Sequence, residues 1–275
     1  MNKYRLIASD LDGTFLNSEM KVTPENNAAI AALQERGILF VPASGRSFYE
    51  MEKSMQENPL LRYYINSDGA VVYDKETGER DTACMDRALC NRIFDVLEEY
   101  VGFVVMHYDG NAYYDADKMN PEGLALHRIT PYYGALLAQQ DVAQPQFEAF
   151  FRSREEIEQI FVFFHSDEEM AECRGRLEAF PELQVVSSES GTFEVVSALA
   201  GKGNGLKRLA KRLGIPMEQT VAVGDSANDL SMLREAGLSL AVSNGWEQVK
   251  NQADRVICSN DEHIVAYILE YICKE

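Results

Sequence analysis

Tyr4-Arg5-Leu6-Ile7-Ala8-Ser9-Asp10-Leu11-Asp12-Gly13-Thr14 decides how the rest of the chain is read. A short apolar run stops abruptly at two carboxylates and a glycine, the pattern of a buried strand that carries acidic side chains to its carboxyl end. Side chains two apart on extended backbone point the same way. Asp10 and Asp12 are therefore expected side by side at the sheet edge where open α/β folds place their ligand crevice. Gly13 permits a tight turn and the close approach of a ligand. The plain alternative is a solvated acidic turn that merely closes the strand.

Working outward, strand and helix signals alternate. Thr23-Pro24 opens a helix, with Thr as cap and Pro in the first turn, and its apolar stripe ends at Gly37. Residues 38–43 read as a second strand, followed by Ser44-Gly45-Arg46 and a helix from about Ser47. The rhythm returns late in the chain, with helices at 201–213, 227–236 and 260–273 and strands at 220–223 and 238–242. Strands separated by helical connections imply a parallel sheet.

The middle differs. Residues 86–100 look helical, but Phe-Val-Val-Met-His-Tyr and Ala-Tyr-Tyr-Asp-Ala flank an Asp109-Gly110 hairpin turn. A strand at 159–165, a helix reaching Ala179, and strands at 185–186 and 192–196 follow. The fold class is α/β: a Rossmann-like core, residues 1–83 and 190–275, with an inserted α+β cap domain, residues 84–189. Trp246 and the run from Phe161 to Phe164 read as core.

Three further stretches carry chemistry. Gly224-Asp225-Ser226-Ala227-Asn228-Asp229 follows the apolar Val221-Ala222-Val223, so a parallel sheet brings Asp225 and Asp229 to the edge that holds Asp10 and Asp12. Such oxygen-rich clusters suit Mg²⁺, although Asp and Ser here also make an ordinary helix cap. Ser44-Gly45 offers a hydroxyl and backbone N–H groups at an expected helix start, an anion cradle, or equally a common Ser cap. Lys202, in Gly201-Lys202-Gly203-Asn204-Gly205, lies outside any P-loop spacing. It opens a helix whose dipole disfavours a cation there, which points to an anionic partner. Two like charges about 4 Å apart cost roughly 4 kcal/mol at an effective dielectric near 20. Convergent carboxylates therefore require a divalent cation and Lys202.

Composition narrows the classes. Of 275 residues, 46% are apolar, enough for a large core, and the net charge of −18 opposes nucleic acid and anionic membranes. Five cysteines without CxxC spacing argue against a disulfide framework or a zinc site and for a reducing, cytoplasmic setting. The first residues reach an acidic side chain too soon for a signal peptide, and no run of about 18 apolar residues is present.

Asp10-Leu11-Asp12-Gly13-Thr14, Ser44-Gly45-Arg46, a lysine, and Gly224-Asp225-Ser226-Ala227-Asn228-Asp229, in that order, resemble the four motifs of the haloacid dehalogenase (HAD) superfamily. The large insertion between the second and third resembles the Cof-type, subclass IIB branch. The resemblance implies a phosphatase in which Asp10 is the nucleophile and Asp12 the general acid/base. It implies that Ser44, Gly45 and Lys202 bind the transferring phosphoryl group, that Asn228 contacts the substrate side, and that Asp229 orients its neighbours. Mg²⁺ is implied on the Asp10 side chain, the Asp12 backbone carbonyl and Asp225. Asn244 matches the pattern less closely. One departure stands out: Ile65-Asn66-Ser67-Asp68-Gly69-Ala70 resembles a segment that usually reads Asn-Gly-Ala, with Asp68 where Asn is usual.

The expected substrates are small phosphorylated metabolites, sugar or cofactor phosphates, read by cap residues such as His107, Tyr108, Asp109 and Asn111, although a hairpin tip is more often simply solvated. A phosphosugar mutase of the same superfamily is the nearest alternative. A non-enzymatic phospho-acceptor module is the remoter one, since such receivers are far shorter and carry no cap.

Overall fold

Five short strands run parallel in the order Arg255–Ile257, Leu238–Val242, Thr220–Gly224, Leu6–Ser9, Leu39–Pro42. The computed structural model that shows them describes residues 3–187 and 191–274. The central strands are apolar because helices cover both faces of a parallel sheet; every residue of Leu6–Ser9, Thr220–Gly224 and Leu238–Val242 is buried. The first crossover helix, Pro24–Glu35, begins as its sequence requires: Thr23 Oγ1 accepts from the Asn26 N–H at 3.2 Å, with Pro24 in the first turn.

A three-stranded sheet of Tyr63–Asn66, Val71–Asp74 and Glu79–Thr82 was not legible from periodicity. It is tied in by a parallel bridge between Ala43 and Ile65. The helix expected from Ser47 is absent. The Ser47 N–H donates to the Glu50 carboxylate, and helix forms only at Lys53–Gln56.

The chain forms two compact units, one of residues up to 45, 57–81 and 201 onward, the other of 46–56 and 82–200. The second contains a six-stranded sheet in the order Leu183–Val186, Thr192–Ser197, Gln159–Phe164, Gly102–Tyr108, Asn111–Asp115, Val142–Gln144, antiparallel except for its last pair. Period-two alternation gives this sheet two apolar faces. Val104 and Met106 pack with Ile93, Phe94, Phe151 and Cys173, while Phe103 and Val105 pack with Ile129, Leu137 and Phe163. The boundary expected at residues 189 and 190 lies outside the described residues. Thr192–Ser197, read above as part of the core stretch, pairs with Gln159–Phe164, so the strand that leads to Lys202 belongs to the cap sheet.

The hairpin tip is pinned within its own unit. Asp109 and Gly110 take the positive φ values of a tight turn, 50° and 77°. The Gly110 N–H donates to buried Glu158 at 2.8 Å, its carbonyl accepts from the Tyr49 N–H at 2.9 Å, and buried His107 lies 3.3 Å from Glu50.

Candidate active site

Three neighbouring parallel strands end at one rim, and each hands over a functional segment. After Ser9 the backbone stays extended through Asp10 and then wraps into a turn closed by the Phe15 N–H on the Asp10 carbonyl, 3.1 Å. That turn, not strand alternation, sets the Asp10–Asp12 relationship: Asp10 is buried while Asp12 is only half-buried. Gly13 makes the turn possible. Its φ is +79°, and a β-carbon there would sit 2.9 Å from Asp225 Oδ2.

The strand Thr220–Gly224 delivers Asp225. The loop beyond it is held by Asp229, whose Oδ2 accepts from the N–H groups of Asp225 at 2.9 Å and Ser226 at 3.1 Å. This is the capping arrangement that a Ser followed three residues later by an acid predicts. Asp229 Oδ1 faces the other way and accepts from Lys202 Nζ at 2.7 Å.

Lys202 is the first residue of the helix Lys202–Leu213, entered through Gly201 at φ +94°. Its ammonium is wholly buried and also lies 2.5 Å from Asp10 Oδ1. The lysine thus stands at a helix start, as its sequence context predicts. Close packing brings it in: the Gly203 N–H donates to Ser231 Oγ at 3.0 Å, and a β-carbon on Gly203 would lie 2.4 Å from the Ser231 carbonyl.

Carboxylate oxygens of Asp10, Asp225 and Asp229 come within 4.8 Å of one another. Burial, then repulsion from Asp229, drives the Asp10 carboxyl well above its usual range, against the pull of Lys202. Burial and Asp229 hold Asp225 up to about 6, although the Thr14 hydroxyl, donating to its Oδ1 at 2.8 Å, opposes the shift. Lys202 is held charged: burial opposes its proton, but Asp10 and Asp229 outweigh burial and push it well above its usual value. With all three carboxylates ionised, one ammonium would leave two negative charges uncompensated, the complement of a divalent cation. Both oxygens of Asp229 are already engaged, so Asp10 and Asp225 are the side chains open to such an ion. An all-oxygen donor set of this kind fits hard Mg²⁺.

Ser44, Gly45 and Asn228 gather around Asp68, whose N–H donates to the Ser44 carbonyl at 3.1 Å and whose carboxylate lies 3.5 Å from where a β-carbon on Gly45 would stand. Ser44 is buried, and its N–H donates to the Ile65 carbonyl at 2.8 Å. The helix start expected after Ser44 is absent, so no helix dipole backs an anion at this segment. Asn228 is buried; its Oδ1 accepts from Ser226 Oγ at 2.7 Å, and its Nδ2 donates to Asp68 Oδ1 at 3.1 Å. Asn244 Nδ2 donates to the Gly13 carbonyl at 2.7 Å, fixing the acidic turn from outside. Trp246, expected in the core, is exposed, and its backbone N–H donates to the Asp225 carbonyl at 2.8 Å.

Thr14 and Asp68 were not singled out as site residues from sequence. Thr14 ends the first motif, but nothing local announces its bond to Asp225. Asp68 was visible only as a departure from an expected Asn.

The chain matches the family model described as haloacid dehalogenase-like hydrolase over residues 7–269. It is 33% identical to Phosphatase YwpJ of Bacillus subtilis, with 98% of this chain and 99% of that one covered. It is 29% identical to the 5-amino-6-(5-phospho-D-ribitylamino)uracil phosphatase YwtE of the same organism, with 98% of each chain covered. Among solved structures, a haloacid dehalogenase-like hydrolase from B. subtilis superposes with a TM-score of 0.84 at 32% identity, covering 98% of this chain and 99% of that one. A HAD subclass IIB sugar phosphatase gives a TM-score of 0.82 at 21% identity with 98% of each chain covered, a likeness of fold. No helix among the described residues is long and apolar enough to cross a membrane. The chain belongs to the haloacid dehalogenase-like hydrolases, as one of the phosphatases of that family.

Proposed function

We propose that this phosphatase is Mg²⁺-dependent, acts in the cytoplasm, and hydrolyses small phosphorylated metabolites, sugar or cofactor phosphates, through an aspartyl-phosphate on Asp10. The observation that carries the reading is the buried Lys202 bridging Asp10 and Asp229, with Asp225 beside them. A structural ion pair needs one acid for one base. Three acids around one base form a site prepared for an added cation and an added anion.

Asp10 attacks phosphorus as the bond to the leaving oxygen breaks, and Asp12, protonated, gives that oxygen its proton. Asp12 then takes a proton from water as the water oxygen bonds phosphorus and the Asp10–phosphorus bond breaks. Two displacements thus replace one difficult step. Half-buried Asp12 has the access to solvent that proton exchange requires, whereas buried Asp10 is shielded from it. Lys202, Ser44, Gly45 and Asn228 hold the equatorial oxygens, where charge gathers in phosphoryl transfer. Asp10, Asp225 and the Asp12 carbonyl would hold Mg²⁺, which supplies positive charge to the phosphoryl oxygens and keeps Asp10 ionised. Asp229 positions Lys202 and the Asp225 loop. The names of relatives such as YwtE, at 29% identity, support a polyol-bearing phosphomonoester as the substrate class.

The test is phosphate release from para-nitrophenyl phosphate with and without Mg²⁺. Wild-type protein is expected to turn over only with the metal, and Asp10→Asn to lose at least 1,000-fold in kcat (about 4 kcal/mol). Asp10→Asn retaining near-wild-type turnover would remove Asp10 as nucleophile.

A further inference from the structure

Ser67, Asp68 and Gly69 form a buried turn in which three successive residues have positive φ, 49°, 48° and 80°. Left-handed backbone is disfavoured for residues with a β-carbon. Two such residues side by side amount to strain that persists only where surrounding contacts over-determine it. Those contacts centre on Asp68. Its N–H donates to the Ser44 carbonyl at 3.1 Å, its carbonyl accepts from the Gly201 N–H at 2.8 Å, and its Oδ1 accepts from Asn228 Nδ2 at 3.1 Å. One residue therefore joins the three segments that carry Ser44, Lys202 and Asn228. Gly69 completes the fit: a β-carbon there would lie 2.2 Å from the Gly201 carbonyl oxygen.

The side chain adds a directional constraint. A carboxylate only accepts hydrogen bonds, whereas an amide can present either end. With Ser226 Oγ on its oxygen and Asp68 on its nitrogen, the Asn228 amide has one permitted orientation. An amide nitrogen carries two N–H groups, and Asp68 takes one.

We propose that Asp68 is a positioning residue for phosphoryl recognition. It fixes the Asn228 amide so that the second N–H is presented to the transferring group, and its backbone holds Ser44 and Lys202 in register. The proposal rests on the phosphatase reading of this site and names a residue that acts through Asn228, without touching the substrate.

The test is a double-mutant cycle on the full chain, with para-nitrophenyl phosphate and Mg²⁺ for kcat/KM and calorimetry for the Kd of inorganic phosphate. Asp68→Ala and Asn228→Ala should each lower kcat/KM and phosphate affinity about tenfold, the worth of a hydrogen bond to a charged group. The double variant should lose about tenfold as well, because the second change removes nothing that remains. Losses that multiply to about 100-fold, or an Asp68→Ala protein that matches wild type, would overturn the proposal. Asp68→Asn keeps the shape and an acceptor oxygen, and it carries the test if the alanine variant does not fold. Because its amide can present either end, Asp68→Asn should lower phosphate affinity less than Asn228→Ala does and cost nothing further in the Asn228→Ala background, and losses that multiply would refute the role. A wild-type protein that binds phosphate but releases none from any ester would sink the phosphatase reading and leave the binding cycle to decide the role of Asp68.

Discussion

Lys202 Nζ lies 2.5 Å from Asp10 Oδ1 and 2.7 Å from Asp229 Oδ1, with the ammonium fully withdrawn from solvent. Removing one partner of a buried pair leaves an uncompensated charge and costs about 3–5 kcal/mol. Lys202→Met is expected to lower stability by that amount, read as a reduced midpoint of urea unfolding in metal-free protein, and to lose activity at least 100-fold. Adding Asp10→Asn to Lys202→Met should recover part of the stability and none of the activity. A double variant no more stable than Lys202→Met would show that repulsion among the carboxylates is not what destabilises the single variant.

Thr14 Oγ1 donates to Asp225 Oδ1 at 2.8 Å, so it orients a carboxylate assigned to the metal. Groups that orient metal ligands affect affinity about 10–100-fold. Thr14→Val, nearly isosteric, should raise the Mg²⁺ concentration for half-maximal activity about tenfold while leaving kcat at saturating Mg²⁺ within about threefold. An unchanged Mg²⁺ requirement would rule out that role.

Two helical glycines make opposite predictions. A β-carbon at Gly203 would press within 2.4 Å of the Ser231 backbone, whereas at Gly175 it would meet nothing within 4 Å. Gly175→Ala, on the exposed side of the helix Asp167–Leu177, should stabilise by roughly 0.5–1 kcal/mol through helix propensity. Gly203→Ala should destabilise by about 1–3 kcal/mol through overpacking and shift Lys202, so phosphate release falls with it. Thermal melting of the two variants checks the sign, and equal shifts would contradict the packing argument.

Asp141 sets a pH dependence. Burial, then the neighbouring Glu50 carboxylate, raises its pKa to about 9, against Arg46. The unfolded chain releases this proton near pH 4, while the folded chain retains it up to about pH 9. The unfolded state thus binds fewer protons in that window, and stability falls as pH rises through it. Asp141→Asn, which has no proton to lose, should unfold at higher urea than wild type at pH 7.5, with the gap closing towards pH 4. A gap that widens on acidification would reverse the sign and exclude a retained proton on Asp141.

Some of this was written locally. The strand Leu6–Ser9 is an apolar run with a polar end, Leu238–Val242 is apolar but for Ser239, and Thr23-Pro24 and Asp86 carry their helix-start chemistry on adjacent residues. The hairpin was legible because Asp109-Gly110 can adopt positive φ where most pairs cannot. The three-stranded sheet of 63–82 was missed because its edge strand, Glu79–Thr82, is entirely polar and shows no alternation. Trp246 was misplaced because a large apolar side chain is a statistical signal for burial, whereas here the backbone of that residue serves Asp225.

The alternation of strand and helix signals sufficed for the α/β class, and the order of the motifs for the convergence of Asp10, Asp225 and Asp229, because strand ends in a parallel sheet all open on one rim. Order along the chain could not specify which carboxylate oxygen faces which cation. Lys202 between Asp10 and Asp229, Thr14 on Asp225, and the left-handed turn that aims Asp68 at Asn228 are contacts between segments up to 211 residues apart. Their energies depend on burial and on angstrom-scale distance, quantities that exist only once the chain has packed.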